Sequence, residues 1–183
     1  KMTAFAPNTI GIPYFKKDRE CNMEIIKQLY DINRLFENVD DFGPAYESFL
    51  KVSNVELGYR GLEGRLSEFF EDVRQTAICI ATRGKAGSGD IQFFMSGIKR
   101  VKSFMYQEKY QIEEAITDAS RAAYLATCFE KGIFEIEKYP KENPKVVLDM
   151  SISELLPTKL RKLRNVIPEA YYYWAKVDEL LKS

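Results

Sequence analysis

Two groups of basic side chains carry the strongest suggestion of chemistry in this sequence. Arg83 and Lys85 fall in the glycine-rich stretch RGKAGSGD, Arg74 precedes it, and Lys99, Arg100 and Lys102 follow it. If the stretch joins two antiparallel helices, these cations gather near one end of a hairpin. Glycine backbone and the N-terminus of the next helix would then add N–H donors suited to a phosphate. The second group is Lys159, Arg161, Lys162 and Arg164, followed by Tyr171, Tyr172, Tyr173 and Trp174. Cations beside aromatics suit backbone contacts and stacking on single-stranded bases. On a helix, however, three consecutive tyrosines and a tryptophan cover most of the circumference. The same run therefore also reads as core packing or as a protein–protein contact.

The acidic residues offer less. Glu68, Glu71 and Asp72 share one face at i, i+3 and i+4 spacing, and Glu113 and Glu114 form a second acidic point. Paired carboxylates on facing helices can hold metals or move protons, but the Glu-x-x-His pairs of a di-metal bundle need histidine, and the chain has none. That absence also removes Ser-His and Cys-His nucleophile pairs and the commonest zinc ligand. A solvated helix face is the plainer reading of the carboxylates. Cys21, Cys79 and Cys128 are far apart and set in helical pattern, as buried thiols of an intracellular protein would be. No serine stands in a Gly-x-Ser-x-Gly setting. The sequence thus points to no catalytic residue, no cofactor and no metal.

The totals bound the rest. At 183 residues, 45% hydrophobic and 30% charged, the chain can build a real core and lies far from the composition of disorder. Lys plus Arg and Asp plus Glu both number 27, so any surface for nucleic acid must be local. No apolar run is long enough for a membrane span, and the N-terminal text lacks the order of a signal peptide, so a cytoplasmic or otherwise intracellular location is expected.

The elements that must position these residues are helical. Residues 1–17, with Pro7, Gly11 and Pro13, read as an extended N-terminal arm. From Asp18 to Asn38, Ile25, Leu29, Ile32 and Phe36 make one amphipathic stripe. Pro44 suits the first turn of a second segment with Tyr46, Phe49 and Leu50 facing inward. Val55, Tyr59, Leu62, Leu66, Phe69, Val73, Ala77 and Ile80 then step at helical spacing through NVELGYRGLEGRLSEFF, where Gly58, Gly61 and Gly64 recur every third position. The stretch reads as helix, its glycines explained by close approach of a neighbour or by a bend at Gly58 or Gly61, with a ligand contact as the rival explanation. RGKAGSGD ends that helix, with Ser88 or Asp90 capping the next.

A stripe of Ile91, Phe94, Ile98, Val101 and Met105 continues in register through Ile112, Ala115, Ala119, Ala122, Ala126 and Phe129. It is either one helix of about 40 residues or two broken near Tyr106 to Gln111. Its alanines, Ala123 included, allow a partner helix to come close. KYPKENPK marks a boundary, TKLRKLRNVIP a basic helical turn or two, and PEAYYYWAKVDELL a terminal helix opened by proline.

The expected fold is all-α: an antiparallel bundle of long helices over 18–137, a linker at 138–144, and a C-terminal helical extension over 145–183 packed on the bundle. The expected function is a non-enzymatic interaction or scaffolding module, self-associating through the Ala- and Gly-rich helix faces or through Tyr171 to Trp174, its partner being another protein or a second copy. The alternative is an RNA- or single-strand-binding helical protein using both basic clusters, Arg83, Lys85, Lys99, Arg100 and Lys102 together with Lys159, Arg161, Lys162 and Arg164.

Overall fold

The computed structural model describes residues 1–103 and 110–183 and is an all-α bundle with one small hairpin. The helices are α1 (Asn22–Asn38), α2 (Gly43–Tyr59), α3 (Leu66–Ala81), α4 (Ile91–Lys102), α5 (Ile112–Glu130), α6 (Leu163–Val166) and α7 (Pro168–Lys182). No helix among the described residues is long and apolar enough to cross a membrane.

The N-terminal segment is built into the core. Met2–Ala4 form a 3-10 turn, and Phe5, Ala6 and Ile10 are buried. Two short strands, β1 (Phe15–Lys16) and β2 (Arg19–Glu20), then pair antiparallel across Lys17 and Asp18, whose φ values of +49° and +61° suit a tight hairpin turn. Helix α1 therefore starts at Asn22 and not at Asp18, because residues 17–20 are spent on the hairpin. Its stripe of Ile25, Leu29, Ile32 and Phe36 is fully buried, as the spacing requires.

The helical stripe drawn through Val55 to Ile80 does not run unbroken. Helix α2 ends at Tyr59, residues 60–65 are turn, and α3 begins at Leu66. Gly61 and Gly64 take φ values of +64° and +76°, where a side chain is strained, and a Cβ on either would meet nothing within 4 Å. Close packing of a neighbouring helix does not account for them; left-handed backbone does. Gly58 stays helical with only Glu63 near it. The break turns Val55 and Tyr59 outward while Phe69, Val73, Ala77 and Ile80 remain core.

At RGKAGSGD the chain reverses tightly. Gly87 sits so close to α3 that a Cβ would overlap the carbonyl oxygen of Gln75 and the backbone nitrogen of Cys79. The Asp90 carboxylate accepts from the backbone N–H of Gln92 at 2.8 Å and caps α4, so the cap is Asp90 and not Ser88. The stripe residue Met105 and most of the break near Tyr106 to Gln111 lie outside the described residues; on either side, α4 ends at Lys102 and α5 begins at Ile112.

Helix α5 is the axis of the molecule. Ala115, Ala119, Ala122, Ala123 and Ala126 are all fully buried, and their small side chains let α3, α7 and α1 pack around them. Ion pairs fix direction: Arg83 just beyond the end of α3 meets Glu113 at the start of α5, and Arg74 within α3 meets Glu130 at its end, so α3 and α5 are antiparallel. Helix α7 runs the same way as α5, with Arg121 on Glu169 and the Tyr124 ring 5.6 Å from that of Tyr173. The long segment after Gly132 brings the chain back and makes that parallel pairing possible.

Candidate functional site

Tyr171, Tyr172, Tyr173 and Trp174 are no more than 4% exposed. Tyr171 Oη donates to the Met150 carbonyl at 3.1 Å, Tyr172 Oη to Glu137 at 3.3 Å, and Tyr173 Oη accepts from the Tyr139 backbone N–H at 3.0 Å. The reading of this run as an exposed contact surface is corrected to core: the segment around Glu137, Tyr139 and Met150 covers the sides of α7 that α5 and α1 leave open. The alanine face of α5 is likewise consumed within the chain.

The nine basic residues separate into three groups. Arg83, Lys85, Lys159 and Lys162 line one cavity of about 170 Å³ with an apolar floor that includes Ile116, Leu163 and Ile167. Arg161 and Arg164 are taken up by neighbours within the chain, Arg161 Nε donating to the Ile152 carbonyl at 3.0 Å and its Nη2 to Glu154 at 2.7 Å, and Arg164 donating to the Met150 carbonyl and Tyr171 Oη. Lys99, Arg100 and Lys102 stand at the far end of α4. Gly84 abuts Ile91 at the start of that helix, so these three lie roughly 12–17 Å along it, at 1.5 Å per residue. Arg100 there donates to Asn22 Oδ1 at 3.0 Å. The expectation that the first cluster gathers at one end of a hairpin is corrected: its members occupy both ends of α4.

The carboxylates also separate. Glu68 pairs with Arg65 at the surface, and the exposed Glu71 pairs with the buried Arg74. Asp72 is buried, and accepts from the Asn8 backbone at 2.9 Å, Asn8 Nδ2 at 2.7 Å and Thr9 Oγ1 at 2.9 Å. It pins the N-terminal segment to α3 and does not belong to a solvated face. Among the described residues no group of His, Cys, Asp and Glu could hold a metal ion.

A polar cleft of about 550 Å³ was not legible beforehand, because α1, Tyr110 with α5, Tyr139 with Lys141, and the α6–α7 junction contribute its walls from four separated stretches. At its base Arg121 donates to Asn33 Oδ1, to Glu37 at 3.0 Å and to Glu169 at 2.5 Å, with its guanidinium 5.8 Å from the ring centres of Phe36 and Tyr173. Its buried Nε has no partner among the described residues. Asp118 is buried beside it and accepts from Tyr110 Oη at 2.8 Å. Burial pushes the Asp118 carboxyl up to about 8, against the pull of Arg121, and burial also pushes the Tyr110 hydroxyl well above its ordinary value. Glu113 is held by Arg83 and Glu114 by the Gln111 backbone N–H. These partners make the cleft a tie between α1, α5 and α7.

Helix α2 presents a different surface. Tyr46, Phe49, Leu50, Ser53 and Leu57 face the bundle, where the Phe49 ring lies 5.3 Å from Phe69 and 5.7 Å from Phe129. On its other side Ala45, Ser48, Val52, Val55 and Tyr59 are exposed, Val55 by 55% and Tyr59 by 82%. Beside them a groove of about 290 Å³ opens between α1 and α2, lined by apolar residues such as Leu35, Val39, Phe42 and Val52. Comparison of the chain with protein-family models, curated proteins and solved structures finds no match.

Proposed function

We propose that the chain is a non-enzymatic helical interaction module that self-associates through α2. The observation that carries this reading is the outward stripe of Ala45, Ser48, Val52, Val55 and Tyr59, which repeats at intervals of three and four residues on a helix whose other face is already committed to the bundle. Written as heptads, these five residues occupy successive a and d positions. Lys51 then falls at g and Glu56 at the following e, the pair that bridges two helices in a parallel dimer. The stripe is therefore matched in charge as well as in apolarity to a second copy of itself. Leu35, half exposed at the groove edge, extends the contact onto α1.

This places self-association on a different surface from Tyr171 to Trp174. Sedimentation analysis of the full chain tests it. The expected result is a concentration-dependent dimer that Val55→Glu abolishes, Lys51→Glu and Glu56→Lys each weaken, and the double exchange restores, because only parallel pairing sets residue 51 against residue 56 of the other copy. A monomer at every concentration refutes the reading.

A further inference from the structure

We propose that the cavity between the Thr82–Asp90 loop and the Thr158–Lys162 turn binds a small phosphate-bearing ligand. It shares no residue with the α2 stripe, so the two proposals stand or fall separately.

Four cations line this cavity. Arg83 is met by Glu113 at 2.7 Å, while Lys85, Lys159 and Lys162 make no ion pair among the described residues. Three unpaired ammonium groups thus line one depression, and a phosphate brings the acceptor oxygens and the charge that ammonium donors need.

The backbone that carries the charges is fixed on both sides. In the loop, Thr82 Oγ1 exchanges hydrogen bonds with the backbone N–H and carbonyl of Ala86 at 3.0 and 3.1 Å, and the Ser88 N–H donates to the Gln75 carbonyl at 3.0 Å. Arg83 itself takes a φ of +54°, a backbone conformation uncommon for a non-glycine residue. In the turn, Leu160 is fully buried between Lys159 and Lys162, and the neighbouring arginines are anchored to the Ile152 and Met150 carbonyls. The lysine tips can therefore close on an anion without reorganising the chain.

The layout favours a compact phosphate over a nucleic-acid strand. A strand needs cations spaced along a track, whereas Arg161 and Arg164 are engaged by Glu154 and by the Ile152 and Met150 carbonyls, and Lys99, Arg100 and Lys102 sit at the other end of α4. The apolar floor of Ile116, Leu163 and Ile167 suits the carbon portion of a phosphomonoester.

Calorimetric titration of the full chain at low salt, with pyrophosphate, phenyl phosphate and single-stranded RNA as separate probes, tests the proposal. Both small probes are expected to bind. Lys159→Ala with Lys162→Ala is expected to weaken them about tenfold, and Lys85→Ala to act in the same direction. Lys99→Ala with Lys102→Ala should leave them unchanged, and circular dichroism should report the same fold for all variants. Failure of pyrophosphate and phenyl phosphate to bind overturns the proposal. So does equal loss from the two lysine pairs, or RNA binding that depends on Lys99 and Lys102.

Discussion

Replacing Asp118 by Asn asks which of two opposed forces governs the centre of the bundle. Asp118 is 3% exposed, and burial raises its carboxyl from 3.8 to about 8. Arg121 works against that rise, but its charge is already shared by Glu37 and Glu169. The folded state therefore holds a proton that the unfolded chain releases above pH 3.8, and stability falls as pH rises from about 4 to about 8, then levels off. At 1.36 kcal/mol per pH unit the full cost approaches roughly 6 kcal/mol, an upper bound that local relaxation and water will reduce. Asn carries no charge to lose and keeps an oxygen that can accept from Tyr110. Urea denaturation followed by the fluorescence of Trp174, itself fully buried, should find the variant level with or slightly below the parent at pH 5 and several kcal/mol above it at pH 9. Parallel stability profiles for the two proteins would refute the reasoning. They would mean that Asp118 is ionised in the fold and that its attraction to Arg121 outweighs burial.

Two further substitutions probe the frame around these sites. Gly87→Ala forces a side chain into the backbone of α3 at a φ of +84° and should cost about 2–4 kcal/mol, whereas Gly61→Ala, with open space around it, should cost only the left-handed backbone penalty of about 1–2 kcal/mol; thermal unfolding of the two variants compares them. Arg121→Met leaves Glu37, Glu169 and Asn33 without their shared donor and should destabilise by about 3 kcal/mol, measured by urea denaturation at neutral pH.

Periodicity made the helices legible, and it failed where one pattern served two faces. Ile25, Leu29, Ile32 and Phe36 fixed α1, and Ile91, Phe94, Ile98 and Val101 fixed α4, because each stripe has polar residues opposite it. Val55 and Tyr59 continued the spacing of Phe69 and Val73 although six non-helical residues intervene, since spacing alone does not register a change of axis. What located the break was the left-handed backbone of Gly61 and Gly64, which a sequence displays only as glycine. The basic clusters were visible as residues, but their grouping was not. The placing of residues 83 and 162 around one cavity depends on the long return of the chain after Gly132, and no local pattern encodes that return.

The burial of four consecutive aromatic side chains in α7 follows from that same return. A helix lying on the surface of a bundle can hide about half its circumference, and residues 171–174 advance by 100° each and span more than that. All four can be buried only if the segment leading into α7 also wraps it, and the hydrogen bonds of Tyr171, Tyr172 and Tyr173 end on residues 137–150 of that segment. Ser153 adds two more on the next turn of α7, donating to Asp178 from its backbone at 3.0 Å and its hydroxyl at 2.6 Å. The C-terminal region is thus a second wall of the core that α5 occupies, and the alanine face of α5 is slim because α7 lies against it. The exposed apolar surface that the proposed self-association needs lies on the element least enclosed by this arrangement. Helix α2 is that element: its inner side rests on an aromatic cluster, Val52 lies half exposed on the wall of the groove shared with α1, and Val55 and Tyr59 are exposed among the described residues.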